Sequence, residues 1–161
     1  MLGLYIHIPF CVTKCKYCDF NSFKIDLNEK IKYLNYLGEE MKLYKEEIKN
    51  REIDSVFVGG GTPSILNENE INILFEKIKE NINIKSNAEI TMECNPGTLT
   101  LNKLKVMKKS GVNRLSIGLQ AVQNHHLKYI GRIHTFEEFE KNYHDAKQMG
   151  FDNINIDLMY A

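Results

Sequence analysis

Residues 54–80 read DSVFVGGGTPSILNENEINILFEKIKE. Asp54–Val58 has the composition of a buried strand. Gly59–Gly60–Gly61–Thr62–Pro63–Ser64 breaks that run with successive glycines and a proline, the signature of a tight turn. Asn67 stands where a helix cap belongs, and Glu70 three residues on completes a capping box. Ile71, Leu74, Phe75 and Ile78 then recur at steps of three and four, which predicts a helix with one apolar face. Strand, turn and helix make one βα unit.

The same unit repeats outward in both directions. Towards the N-terminus, Leu2–Ile8 alternates as a strand and Pro9 ends it, with a cysteine-rich loop running to about Asp19. A long helix is predicted over residues 28–49, its apolar face made by Ile31, Leu34, Leu37, Met41, Tyr44 and Ile48. Towards the C-terminus, Ala88–Glu93 is a strand that stops at Asn95–Pro96–Gly97. Leu101, Leu104 and Met107 mark a third helix, closed by Gly111. Arg114–Gln120 is a fourth strand, residues 124–130 a short helix, residues 136–149 a further helix ending at Gly150, and Asn153–Tyr160 a last strand. Five strands alternating with helices argue an α/β fold with a parallel sheet and right-handed crossovers. A doubly wound sheet and a (β/α) barrel both satisfy that order. The chain stops on a strand with no covering helix, so an unfinished domain with an exposed edge is expected.

The 161 residues suffice for one domain with a core. With zero formal net charge, nothing in the bulk composition calls for a nucleic-acid partner. No apolar run approaches the ~20 residues of a membrane span. MLGLYIHIPF lacks the basic start and small-residue cleavage site of a secretory signal, so a cytoplasmic protein is expected.

Three of the four cysteines crowd into CVTKCKYC, residues 11–18. In a reducing compartment such crowding points to metal, not disulfides. Cys11, Cys15 and Cys18, spaced C-x3-C-x2-C, put three soft thiolates on one loop after the first strand. Three thiolates on a cubane cluster leave one iron open to a small molecule. The rival readings are a structural zinc ion with His7 or Cys94 as fourth ligand, and three free thiols without metal. The glycine turn has neither the G-x-G-x-x-G nor the G-K-[ST] spacing of phosphate loops. Asp157 sits inside an apolar strand, where an acid must be paired or ligand-bound.

YIHIPFC with C-x3-C-x2-C, VFVGGGTPS, MECNP, NRLSIGLQ, GRIHT and NINIDLMY together resemble the radical SAM proteins of the oxygen-independent coproporphyrinogen III oxidase superfamily, most closely its HemW group of heme chaperones. The resemblance runs along the whole chain. It implies an incomplete TIM-like radical SAM barrel of about five parallel strands, with a [4Fe–4S] cluster on the three cysteines at the C-terminal ends of the strands. Residues 1–161 would be the N-terminal portion of that core, the C-terminal part of the family's chain being absent; Ala161 stands where the family has a glycine. The implied chemistry is reductive cleavage of S-adenosylmethionine (SAM) to methionine and a 5′-deoxyadenosyl radical.

For SAM, the resemblance carries over Tyr5 and Tyr17 beside the cysteine loop, Gly60, Gly61 and Thr62 in the turn, and Glu93, Gln120, Arg132 and Asp157. Taken alone, Tyr5 reads equally as core, Glu93 as a solvated strand end and Arg132 as a surface charge. Gln120 can donate to and accept from a nucleoside, and the Arg132 guanidinium suits a carboxylate. The oxidase loop carries a further cysteine two residues after the third; here that position is Phe20, which disfavours the oxidase reaction and favours a heme chaperone. The implied partners are heme or a porphyrin, a heme acceptor protein, and an electron donor such as flavodoxin or ferredoxin, with a weak membrane association and no nucleic acid. The alternatives are an oxidase or other radical SAM oxidoreductase, and an inactive metal-binding fragment. Cys94 reads as a small buried hydrophobe. His125, His126 and His144 read as helix-surface residues, and His134 has no assigned role.

Overall fold

The computed structural model describes residues 1–24 and 29–160. Its elements are β1 (Gly3–Ile8), β2 (Phe10–Cys11), β3 (Phe23–Lys24), α1 (Glu29–Ile48), β4 (Ile53–Gly60), a 3₁₀ turn (Pro63–Ile65), α2 (Glu68–Asn81), β5 (Ile84–Cys94), α3 (Leu101–Ser110), β6 (Arg114–Gln120), α4 (Asn124–Tyr129), α5 (Phe136–Gln148) and β7 (Asn153–Leu158). Five strands form one sheet in the order β1-β4-β5-β6-β7, every neighbouring pair parallel. The order never reverses, which decides between the two architectures the sequence left open. A doubly wound sheet needs a switch point; a singly wound series puts all its crossover helices on one face, as in a (β/α) barrel. Among the described residues β1 and β7 do not pair, so the barrel is open.

The core lies between sheet and helices. Ile6 and Ile8 of β1, Val56 and Val58 of β4, Met92 and Cys94 of β5, and Leu115, Ile117 and Leu119 of β6 are buried there with Leu34, Ile71, Leu74, Ile78, Leu104 and Met107. Strand side chains alternate between faces, so the opposite, concave face carries Tyr5, His7, Phe57, Thr91, Glu93, Ser116 and Asp157. The pairings Tyr5–Phe57, His7–Gly59, Phe57–Thr91, Glu93–Ser116 and Gly118–Asp157 place these groups in rows.

The helix stops and starts follow local chemistry. Asn67 Oδ1 accepts from the Glu70 N–H at 2.9 Å and Glu70 Oε2 accepts from the Asn67 N–H at 2.7 Å, the predicted capping box. Gly111 takes φ +108°, the left-handed turn that ends α3. Thr135 and Glu138 form a second capping box at the start of α5.

Several predicted details change. The start of α1 at Asn28 lies outside the described residues, as does Ala161. The inward line of α1 is Lys30, Leu34, Gly38 and Met41, with Ile31 and Tyr44 exposed. The helix is rotated because Lys30 reaches a buried partner, Glu70, on α2 at 2.6 Å. Gly38 lies against the side chain of Lys77 so closely that a Cβ would come within 2.7 Å of it. β5 begins at Ile84, before the predicted Ala88, since its first residues pair with β4 while exposing Ser86 and Asn87. β7 ends at Leu158, with one further backbone bond from Met159 N–H to the Gln120 carbonyl. The two-residue pair β2–β3 has no counterpart in the sequence reading.

Candidate functional site

The cysteine loop is folded over the C-terminal ends of the strands by its own backbone. Phe23 N–H donates to the Pro9 carbonyl at 2.9 Å, Cys18 N–H to the Cys15 carbonyl at 3.2 Å, and Lys16 N–H to the Ile130 carbonyl at 3.0 Å. The glycine turn is tied to the same loop, Gly61 N–H donating to the Ile8 carbonyl and Thr62 N–H to the Phe10 carbonyl, both at 2.8 Å. Gly61 has no room for a side chain: a Cβ there would lie 2.7 Å from the Phe10 carbonyl oxygen and 3.0 Å from Cys11 Sγ. Gly60, at φ +115°, lies against the His7 ring. Gly131, at φ +83°, brings the segment after α4 against the backbone of Cys15 and Lys16 and so delivers Arg132 to the site.

These elements enclose a cleft of about 130 Å³ that opens to solvent. Cys11, Cys15, Cys18, Tyr17, Gly60, Gly61, Thr62, Glu93, Gln120, Arg132 and Asp157 all line it. Of the candidate residues only Tyr5 lies elsewhere. Its ring stacks on Phe57 and its hydroxyl bonds His7 Nδ1 at 2.9 Å. The His7 Nε2 faces the Asn21 carbonyl at 2.8 Å, which can only accept, so Nε2 donates to it.

Each polar group in the cleft has a defined setting. Glu93 accepts from the Gly60 N–H at 3.0 Å. Burial pushes its carboxyl above the ordinary carboxylate range, with Asp157 adding to the rise and the Gly60 bond and His7 opposing it. Asp157 is held by Asn155 Nδ2 at 2.6 Å and by Ser116 Oγ at 3.3 Å, the pairing an inward acid requires. Gln120 has φ +72°, the only left-handed non-glycine among the described residues, at an irregularity in the β6–β7 register. Strain of that kind gathers at ligand sites. Burial raises the Tyr17 hydroxyl, with the Arg132 charge acting against it. The Arg132 guanidinium, which the sequence aims at a ligand carboxylate, is engaged inside the protein: Nη2 donates to Asn95 Oδ1 at 2.8 Å and to the Gly118 carbonyl at 2.6 Å, and Nη1 approaches Cys15 Sγ at 3.7 Å. Its Nε is buried without a partner among the described residues.

Asn95, Ser116 and Gly118 are among the cleft residues that the sequence did not single out. Ser116 carried the same signal as Asp157, a polar side chain inside an apolar strand. Asn95 stood in the quoted MECNP segment, but a neutral amide gave no reason to single it out.

The three cysteines are free thiols, Cys11 buried and the others half-buried. Among the described residues no three His, Cys, Asp or Glu side chains converge tightly enough to hold a single metal ion. Neither suggested fourth zinc ligand is placed for that role. Cys94 faces the core, donating to the Met92 carbonyl with its thiol pushed far up by burial, and both His7 ring nitrogens are engaged. Soft thiols spread around a cleft, with Thr62 and Arg132 donors aimed at two of the sulfurs and no spare ligand among the described residues, fit a larger iron–sulfur group with an open iron.

The Radical SAM superfamily model matches residues 5–161. The heme chaperone HemW of Haemophilus influenzae is 40% identical over 165 residues, which take in 99% of this chain and 43% of that protein. HemW of Bacillus subtilis is 38% identical over 162 residues, covering 100% and 43%. The chain therefore spans about two-fifths of the length of these curated relatives. The structure of coproporphyrinogen III oxidase (HemN) from Escherichia coli, a radical SAM enzyme, superposes with a TM-score of 0.92 at 32% identity, covering 99% of this chain and 37% of that one. The superfamily implies a [4Fe–4S] cluster and SAM as cofactors. A thiol loop over the ends of a singly wound parallel sheet and a family match along nearly the whole chain have one reading: the chain belongs to the radical SAM superfamily.

Proposed function

We propose that this chain is the cluster- and SAM-binding portion of a HemW-like heme chaperone, acting in the cytoplasm in heme trafficking. The observation that carries the proposal is the cleft itself, where three free thiols, the Gly60–Thr62 turn, Glu93 and Asp157 meet around one space. The HemW relatives near 40% identity support the chaperone, and so does Phe20 in place of a further cysteine.

In this reading Cys11, Cys15 and Cys18 hold the cluster. The N–H groups and close backbone of Gly60–Thr62, with Glu93, receive the methionine end of SAM. Glu93 is positioned for an amino group, and Gln120 and Asp157 for the ribose and base hydroxyl and amine donors. Tyr17 and the loop exclude water. Tyr5 acts through His7, which it fixes by hydrogen bond. When bound, the cluster and SAM supply one-electron radical chemistry. Heme or a porphyrin, a heme acceptor, an electron donor such as flavodoxin or ferredoxin, and a weak membrane association complete the proposed cycle. No described helix is long and apolar enough to cross a membrane.

Anaerobic reconstitution with iron and sulfide, followed by electron paramagnetic resonance with and without SAM, tests the reading. About four irons and four sulfides per chain and a SAM-induced change in the reduced signal are expected; a colourless zinc protein would refute it. The superposition on HemN favours a second reading, a coproporphyrinogen oxidase. Decarboxylation of coproporphyrinogen III by the reconstituted protein would select that reading, and heme binding without turnover the chaperone.

A further inference from the structure

Asn95 joins two side chains that point at different cysteine sulfurs. Its Oδ1 accepts from Arg132 Nη2 at 2.8 Å, and its Nδ2 lies 3.0 Å from Thr62 Oγ1. Arg132 can only donate, so the amide orientation is fixed: oxygen to Arg132, nitrogen to Thr62. Thr62 Oγ1 must then accept, and its single proton is left for Cys11 Sγ, 3.5 Å away. Arg132, anchored through Nη2, presents Nη1 to Cys15 Sγ at 3.7 Å. Asn95 is itself held. Its N–H donates to Ser64 Oγ at 3.0 Å, and its carbonyl accepts from Thr98 Oγ1 at 2.6 Å. Thr62 and Ser64 are buried, which shields the hydrogen bonds they make from water.

We infer that Asn95 is a positioning residue that sets the polarity of the hydrogen bonds reaching two of the three cluster thiolates, and thereby raises the reduction potential of the cluster. The inference rests on the cluster reading above. Reduction places more negative charge on the cluster and its sulfurs. Donors already aimed at them stabilise the reduced form, and a guanidinium does so by charge as well. A neutral amide serves here because it is donor at one end and acceptor at the other. A carboxylate at this position accepts from both neighbours. It keeps Arg132 but draws the Thr62 proton away from Cys11.

The test measures the midpoint potential of the reconstituted full chain without SAM, by redox titration followed by electron paramagnetic resonance. Iron and sulfide content and circular dichroism are checked for each variant. Thr62→Val and Asn95→Asp should each lower the potential by the equivalent of about a tenfold fall in the reduced-to-oxidised ratio, 59 mV for one electron. Thr62→Ser should keep the wild-type potential. The double variant should shift by less than the sum, because Asn95 acts partly through Thr62. Thr62→Val against Thr62→Ser decides the matter if Asn95→Asp loads poorly. Unmoved potentials in fully loaded variants overturn this inference and leave the cluster assignment standing. Failure of the wild-type chain to take up a cluster overturns both.

Discussion

The backbone N–H of Gly60 donates to Oε2 of Glu93 at 3.0 Å, joining the turn after β4 to the end of β5. Gly59 is packed against the same carboxylate, so that a Cβ there would lie 3.0 Å from Oε2. Glu93 is thus both a brace for the glycine turn and a buried acid whose proton is held above the ordinary range, first by burial. For a carboxylate raised in the fold, the folded state binds the extra proton. The destabilisation is absent below the unfolded value of 4.5 and grows as pH rises through the folded value. Glu93→Gln keeps an oxygen for Gly60 and removes the charge. The variant should show a higher Tm at pH 7 and a flatter Tm profile above the carboxylate range. Its affinity for SAM should fall roughly tenfold or more, the worth of a charge-assisted bond. Thermal scans against pH, with SAM titrations of the reconstituted protein, check both.

Gly61 is constrained by space, not by dihedral angle. The Phe10 carbonyl is backbone and cannot turn aside from a Cβ at 2.7 Å, and Cys11 Sγ is the next atom met. Gly61→Ala must therefore push the turn away from the cysteine loop. We expect a loss of about 1–3 kcal/mol in urea unfolding of the metal-free chain, the usual range for overpacking. Iron uptake should fall with it. Wild-type iron content in a stable Gly61→Ala protein would show that the loop and turn move together.

What could be read from the sequence was what is local. Caps, glycine stops and strand alternation depend on residues a few positions apart, and they placed Asn67 and Glu70 at a helix start, Gly111 at a helix end and Asp157 within a strand. The parallel sheet followed from the alternation of strands and helices, while the choice of barrel over doubly wound sheet needed the strand order. What was missed depends on partners far along the chain. Asn95 acquires its meaning from Thr62, 33 residues before it, and Arg132, 37 residues after. The α1 face was misjudged by hydropathy, because Lys30 turns inward to a carboxylate 40 residues away while Ile31 and Tyr44 face out.

His134 is nearly inaccessible, at 5% exposure, and its Nε2 donates to the Leu119 carbonyl at 3.3 Å. Burial, and then the Arg132 charge, bring its pKa down to about 4 from 6.5. The unfolded chain then binds the proton first as pH falls. His134 contributes its full stability above 6.5, and that contribution is lost progressively down to about 4. His134→Gln retains a donor for Leu119 and cannot titrate. The wild-type Tm should drop between these limits more steeply than that of the variant; parallel profiles would contradict a buried neutral imidazole.

Lys30 and Glu70 form an ion pair at 2.6 Å with both side chains buried, and Glu70 also accepts the Asn67 N–H at the start of α2. The pair pins α1 to α2 beside the core and explains the rotation of α1. Removing one member leaves the other charge buried, which costs far more than the pair contributes on its own. Lys30→Met should destabilise the chain by roughly 3–5 kcal/mol. Glu70→Gln retains an oxygen for the Asn67 N–H but strands the ammonium, and it should lose a similar amount. The double variant buries no charge, keeps the cap and fills the same space. Its loss should be well below the sum of the two, and a double-mutant cycle in urea measures the difference. Additive losses would mean that the two side chains act separately and that the α1 rotation has another cause.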